Sequence, residues 1–199
     1  GAGARESFEH ESRMTVQVLK QIQADLAFQR EHQEKLIRFW LAQHDVMRSE
    51  LNRMLAMAVA GAASEVEAEG GGRGVGELEG RFREYMAMLE EHEEVEDKML
   101  FPMLKTLFPQ STEVVDRILD PERHKGVDVL TERVGGLLQQ LHERQRAGQG
   151  LLLSVPEMKK VVEALERLTD YMDGHIRYEE EVTMPWLRSA APPQPPPPL

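Results

Sequence analysis

The chain has 199 residues, no cysteine and a formal net charge of −11 at pH 7. A chain of this length can bury roughly 70% of the surface that its unfolded form exposes, so one domain with extensions is expected. The lack of cysteine excludes disulfides, thiolate metal sites and a cysteine nucleophile, and the acidic charge argues against a nucleic-acid-binding protein. No apolar run is long enough for a bilayer. We therefore expect no membrane partner and an intracellular location, cytoplasmic or nuclear.

The N-terminal part of the chain has helical composition, rich in Ala, Leu, Glu, Lys, Gln, Arg and Met. Residues 1–34 carry apolar side chains at every fourth position from 14 to 26, which predicts an N-terminal helix or arm. The main domain is predicted over residues 35–190, starting with a helix over residues 35–62. Residues 61–76 are Gly-rich and acidic without periodicity, and this pattern predicts a flexible loop.

Three further helical regions follow the loop. They are predicted from about Glu77 to Leu100, over residues 111–146 and from about Pro156 to Val182. Asp120-Pro121 predicts a break, because the residue before a proline disfavours helix. The Pro-rich tail, residues 191–199, is expected to be disordered or polyproline II.

These elements predict an all-α fold. Four long helices with short or flexible connections favour an antiparallel up-and-down four-helix bundle, to which the N-terminal helix or arm is added.

One pattern occurs twice along the predicted helices. HEEVEDKMLFPML (residues 92–104) and HIRYEEEVTMPWL (residues 175–187) share a His, a Glu four residues later, a Pro and a final Leu. A lone histidine precedes each copy, by 48 residues for the first and by 51 for the second. The repeated residues are His44, His92, Glu96, His124, His175 and Glu179.

This spacing suits metal ligands on helices. Side chains four residues apart lie on one helical face, so each copy points an imidazole and a carboxylate at the same place. Imidazole binds iron, copper, nickel and zinc, and a carboxylate tolerates hard iron and can bridge two ions. Four imidazoles and two bridging carboxylates predict two metal ions between the helices, with coordination positions left for water, dioxygen or peroxide.

A single His-x-x-x-Glu match is weak evidence, because about one such match is expected by chance in a chain this acidic. The shared Pro, Leu and flanking apolar positions strengthen the pair, although one inward histidine alone could be a hydrogen-bonded core residue. His10, His32 and His142 lack the pattern and are interpreted as surface residues. His32 competes with His44 for the first position, and His44 is preferred because its spacing matches the second half.

The six residues resemble the pattern of the hemerythrin or "HHE cation-binding" family, over roughly residues 36–188. The resemblance implies a four-helix bundle around two non-haem iron ions bridged by oxo or hydroxo groups and carboxylates. It also implies dioxygen or peroxide as a small ligand. The second copy departs from the family pattern at TMPWL, where Met184 replaces an aromatic residue.

Four strings, WLAQHDVMRSEL, HEEVEDKMLFPML, ERHKGV and HIRYEEEVTMPWL, are similar to the hemerythrin domains of BRUTUS-type iron-sensing ubiquitin ligases. They also resemble the hemerythrin domain of an animal F-box iron-sensing ligase subunit, a resemblance that implies Glu93 as an additional residue near the metal. This branch implies the sensing module of a larger regulatory protein, with protein partners in iron regulation and no ligase chemistry of its own.

Several other functions remain open at this point. A di-iron enzyme consuming peroxide or nitric oxide would use the same ligands, as would an oxygen carrier or iron store. The sequence offers no general acid or base dedicated to turnover, although Glu93 or Tyr178 could serve. A non-enzymatic role is therefore favoured, and peroxidase- or catalase-like side activity stays open. The last alternative is a metal-free helical adaptor whose His and Glu side chains merely pack.

Overall fold

The computed structural model describes residues 2–24, 29–63, 71–147 and 155–189. Side chains at positions 2, 21–24, 29–34, 71–73, 123–124 and 155 are outside this description. The described chain is built from helices and contains no strand. Its elements are α1 (Ala2–Ala24), α2 (Gln29–Ala63), α3 (Gly71–Val95), a π-helical turn (Glu96–Leu100), α4 (Phe101–Leu107), a 3-10 turn (Pro109–Ser111), α5 (Thr112–Ile118), α6 (Pro121–Arg146) and α7 (Val155–Arg188).

The four long helices α2, α3, α6 and α7 form the predicted bundle. α2 packs against α3 and α7, and α6 packs against the same two helices. Contacts between α2 and α7 run in opposite chain order, since His44 meets Glu180 while the later Arg48 meets Asp173. These two helices are therefore antiparallel, and an all-α bundle is confirmed.

The N-terminal segment is a helix that completes the core of the bundle. α1 packs along α2 and also contacts α3. The side chains of Phe8, Val18 and Leu19 are buried, so they form part of the hydrophobic core. The predicted boundary between residues 34 and 35 lies inside the continuous helix α2.

Part of the predicted Gly-rich loop is helical. Residues 61–63 end α2 and residues 71–76 begin α3, while residues 64–70 are outside the described residues. Each glycine costs a helix about 1 kcal/mol relative to alanine. Val75 and Leu78 are each 2% exposed, and burial of such side chains contributes about 1.5–3 kcal/mol each. Tertiary burial thus overrides local propensity here.

The helix that carries the first His-Glu copy ends differently from the prediction. A π-helical turn at Glu96–Leu100 follows α3, and the Phe101 N–H donates to the Glu96 carbonyl five residues earlier. Pro102 follows directly and has no N–H to donate. Such π-helical turns are frequent at functional sites. In the second copy, Pro185 lies inside the continuous helix α7.

Proline and aspartate set the connection to α6 as expected. α4 ends at Leu107, ahead of Pro109, and Asp120 caps α6 by accepting a hydrogen bond from the Glu122 N–H at 3.0 Å. Ser111 lies ahead of α5, but its hydroxyl donates to the Leu104 carbonyl instead of capping the helix.

The last helix is longer than predicted and ends at Arg188. The Pro-rich tail is outside the described residues. None of the helices that the structure describes combines the length and apolarity needed to cross a membrane.

Candidate metal centre

A layer of polar side chains crosses the bundle between two hydrophobic clusters. Met47 and Leu89 belong to the cluster on one side, and Trp40 and Val95 belong to the other. Burying charged groups between apolar clusters costs several kcal/mol per ion unless they are paired or bound to metal. The residues of this His–Glu layer are His44 on α2, His92 on α3, Glu96 in the π-helical turn, and His175 and Glu179 on α7.

Four members of the layer converge on one point. One ligand atom from each of His44, His92, Glu96 and Glu179 lies within 4.8 Å of the others, and all four residues are buried. His44 Nε2 lies 3.1 Å from His92 Nε2, 3.6 Å from Glu96 Oε1 and 3.9 Å from Glu179 Oε2. His92 Nε2 lies 3.2 Å from Glu96 Oε1. The two sequence copies therefore meet in space.

The fifth member extends the layer toward the surface. His175 Nε2 lies 2.9 Å from Glu179 Oε1, and the His175 side chain is 9% exposed, against 0–4% for the other four. His124 is in the first turn of α6, close behind Pro121, and its side chain is outside the described residues.

Spacing within the layer fits a metal ion. Donor atoms about 2.1 Å from one ion lie roughly 3–3.5 Å from each other. The contacts of 3.1, 3.2 and 3.6 Å among His44, His92 and Glu96 are close to that range. Imidazole nitrogens with carboxylate oxygens form the mixed donor set that iron and zinc accept.

Three residues that orient the layer were missed by sequence reasoning. Trp40 Nε1 donates to Glu96 Oε1 at 2.6 Å, and its ring packs 4.4 Å from the His44 ring between centroids. Glu180 Oε1 lies 2.9 Å from His44 Nδ1, and Arg48 Nη1 donates to the same oxygen at 2.9 Å. Such outer contacts hold ligand side chains in place. Of these three residues, Arg48 had a sequence signal for a place beside His44, because it follows His44 by one helical turn.

Two buried polar atoms near this end of α3 have no hydrogen-bond partner in the described chain. They are His92 Nδ1 and the Tyr85 hydroxyl. Burial, followed by the charge of Glu93, raises the pKa of Tyr85, so the phenol stays neutral at physiological pH.

Three carboxylates around His44 hold its imidazole in the charged form when no metal is bound. Burial lowers the pKa of His44, but Glu180, Glu96 and Glu179 outweigh it and raise the pKa to about 9. Burial raises the pKa of Glu96, whereas His92 and His44 lower it to well below its usual range. At neutral pH His44 and Glu96 thus form a buried ion pair, and an arriving metal ion must displace the His44 proton.

We expect metal affinity to increase with pH up to about 9. The raised pKa of His44 means that a proton competes with metal at all pH values below about 9, instead of only below the ordinary value of 6.5. One displaced proton makes affinity about tenfold weaker for each pH unit below that pKa. Competition titrations with zinc as a redox-inert probe, between pH 6.5 and 9, measure the slope. A flat profile would contradict the predicted charge state.

Glu93 and three histidines outside the repeated pattern were also singled out from the sequence. Glu93 lines a cleft of about 850 Å³ between α3 and α6, whose walls mix apolar side chains such as Phe82 and Leu89 with charged ones. Histidines interpreted as surface residues differ among themselves. His10 is exposed, His142 is half-buried and pairs with Glu79, and the His32 side chain is outside the described residues.

A four-helix bundle with a buried His–Glu layer is a candidate cation-binding protein. Residues 35–124 match the family model described as Hemerythrin HHE cation binding domain. The match includes His44, the first His-x-x-x-Glu copy and His124, and ends before the second copy. No curated protein and no solved structure matches the chain significantly. The match and the layer agree on metal binding.

Proposed function

We propose that this chain is a hemerythrin-like domain that binds two iron ions in its His–Glu layer. The observation that carries the proposal is the convergence of His44, His92, Glu96 and Glu179, whose ligand atoms lie within 4.8 Å of one another. His175 and His124 would complete the six ligands. When bound, the iron pair would supply open positions for dioxygen or peroxide.

We infer that the domain senses the availability of iron or oxygen. The ligands come from α2, α3 and α7, and His124 would add α6. A metal ion that binds only the folded arrangement stabilises it. Occupancy would therefore change the order of all four helices, and that change is a signal that a protein partner can read.

A regulatory setting follows only from the resemblance in short strings to BRUTUS-type ubiquitin ligases. On that basis we propose that the domain is the sensing module of a larger intracellular protein involved in iron homeostasis. Co-precipitation with and without iron loading tests whether a partner distinguishes the two states.

A di-iron enzyme is the second candidate, and the cleft lined by Glu93 favours it. Burial lowers the pKa of His175, but Glu179 first, and then the charges of Glu96 and Glu93, outweigh burial and raise it. Glu93 also follows His92 directly in the chain and lines the cleft. It could therefore handle a proton beside the metal centre.

Peroxide consumption by the iron-loaded protein separates sensor from enzyme. A rate no higher than that of free iron supports the sensor. Rapid turnover that is lost in Glu96→Ala and weakened in Glu93→Gln supports the enzyme.

A further inference from the structure

The His44 ring is held from behind by a carboxylate and a guanidinium. His44 Nδ1 lies 2.9 Å from Glu180 Oε1, and Arg48 donates to that oxygen through Nη1 at 2.9 Å. Arg48 Nε also donates to Asp173 Oδ1 at 3.3 Å, which ties the group to α7 a second time. We propose that Glu180 and Arg48 position the His44 ring for metal binding, an inference that rests on the proposed metal centre.

The two nitrogens of the His44 ring have separate tasks in this arrangement. An ionised carboxylate only accepts hydrogen bonds, so Nδ1 must carry the proton that points at Glu180. Nε2 then faces His92 and Glu96 and is the atom left to bind metal. Glu180 thus determines which nitrogen and which ring orientation meet the ion.

Glu180 and Arg48 lie between the buried His44 ring and the surface. Glu180 and Arg48 have side chains 22% and 25% exposed, whereas His44 is fully buried. The pair therefore closes the outer edge of the layer.

Neighbouring residues do not share this task. Glu179 is one residue away but contacts His175 and faces the centre of the layer. His92, the imidazole opposite His44, has no hydrogen-bond partner for Nδ1 in the part of the chain that is described. Loss of Glu180 should therefore affect one ligand and leave its counterpart unchanged.

Two substitutions of Glu180 distinguish the effect of its oxygen's position from the effect of its charge. Glu180→Gln keeps an oxygen at the same reach without the charge, and Glu180→Asp keeps the charge but is one methylene shorter. If Glu180 acts by positioning the His44 ring, Glu180→Asp and Glu180→Ala weaken the binding of ferrous iron by about 10–100-fold. Glu180→Gln then weakens it less. Anaerobic competition against a chromogenic chelator measures each affinity, and circular dichroism checks that each variant is folded.

The matched control is Glu157→Gln, which breaks another interhelical pair on α7, with Arg144. It should leave iron affinity unchanged. Unchanged affinity in Glu180→Ala, or a loss in Glu180→Gln with none in Glu180→Asp, would overturn the inference while the metal centre stands. Failure of the unsubstituted protein to bind iron would overturn the metal centre itself.

Discussion

Removing iron lowers the melting temperature of the protein by about 15–30 °C. A ligand at about a thousand times its Kd stabilises the folded state by about 4 kcal/mol, and two ions contribute about twice that. For a chain of this length each kcal/mol corresponds to about 2–4 °C. The metal-free layer retains buried charges on His44 and Glu96, and His92 Nε2 lies 3.1 Å from His44 Nε2. This packing costs free energy that bound metal would offset.

Differential scanning calorimetry of chelated and iron-loaded protein measures this shift. Adding ferrous iron back should restore the melting temperature, and excess magnesium should not, because magnesium prefers oxygen ligands and water over imidazole. Equal melting temperatures with and without iron would rule out sensing through the order of the bundle.

Glu96→Ala abolishes iron binding and destabilises the metal-free protein by about 3 kcal/mol, the lower end of the cost of breaking a buried ion pair. Glu96 Oε1 accepts from Trp40 Nε1 at 2.6 Å and lies 3.2 Å from His92 Nε2 and 3.6 Å from His44 Nε2. Its removal leaves an indole N–H without an acceptor, and it leaves the Nε2 atoms of His44 and His92 without the Glu96 carboxylate that lies beside them.

Glu94→Ala is the matched control for this substitution. Glu94 lies two residues earlier, is exposed, and pairs with Lys98 one turn later. Such a pair contributes about 0.3–0.5 kcal/mol, so iron affinity should be unchanged and stability nearly so. Metal analysis after gel filtration and urea unfolding measure both quantities. Similar behaviour of the two variants would show that Glu96 is not a ligand.

The long helices could be predicted from the sequence because apolar residues recur along it with helical periodicity. The spacing of apolar residues placed the helices, and Asp120-Pro121 placed the start of α6. The turn at Glu96–Leu100 was not predicted, because helix formers such as Met99 and Leu100 continue the pattern and only Pro102 conflicts with it. Helical residues 71–76 were missed because burial, not local propensity, holds them in α3.

In the candidate site, contacts within one helix could be predicted from the sequence, whereas contacts between helices could not. His-x-x-x-Glu is a contact within one helix, so each copy could be identified from spacing alone. The hydrogen bond from Trp40 to Glu96 spans 56 residues, and the contact between His44 and Glu180 spans 136. The spacing from His175 selects Glu179, but nothing in the string EEE indicates that Glu180 contacts His44. That contact arises only when α7 packs against α2.

Metal content combined with the visible spectrum tests the central claim most directly. The protein is loaded anaerobically with ferrous iron, freed of excess metal and then exposed to air. We expect close to two irons per chain and the appearance of oxo-bridge absorption on oxidation. Reversal of that absorption on removing oxygen would support oxygen binding, and iron release would support sensing of iron. No bound iron, or a single zinc ion in its place, would contradict a di-iron centre.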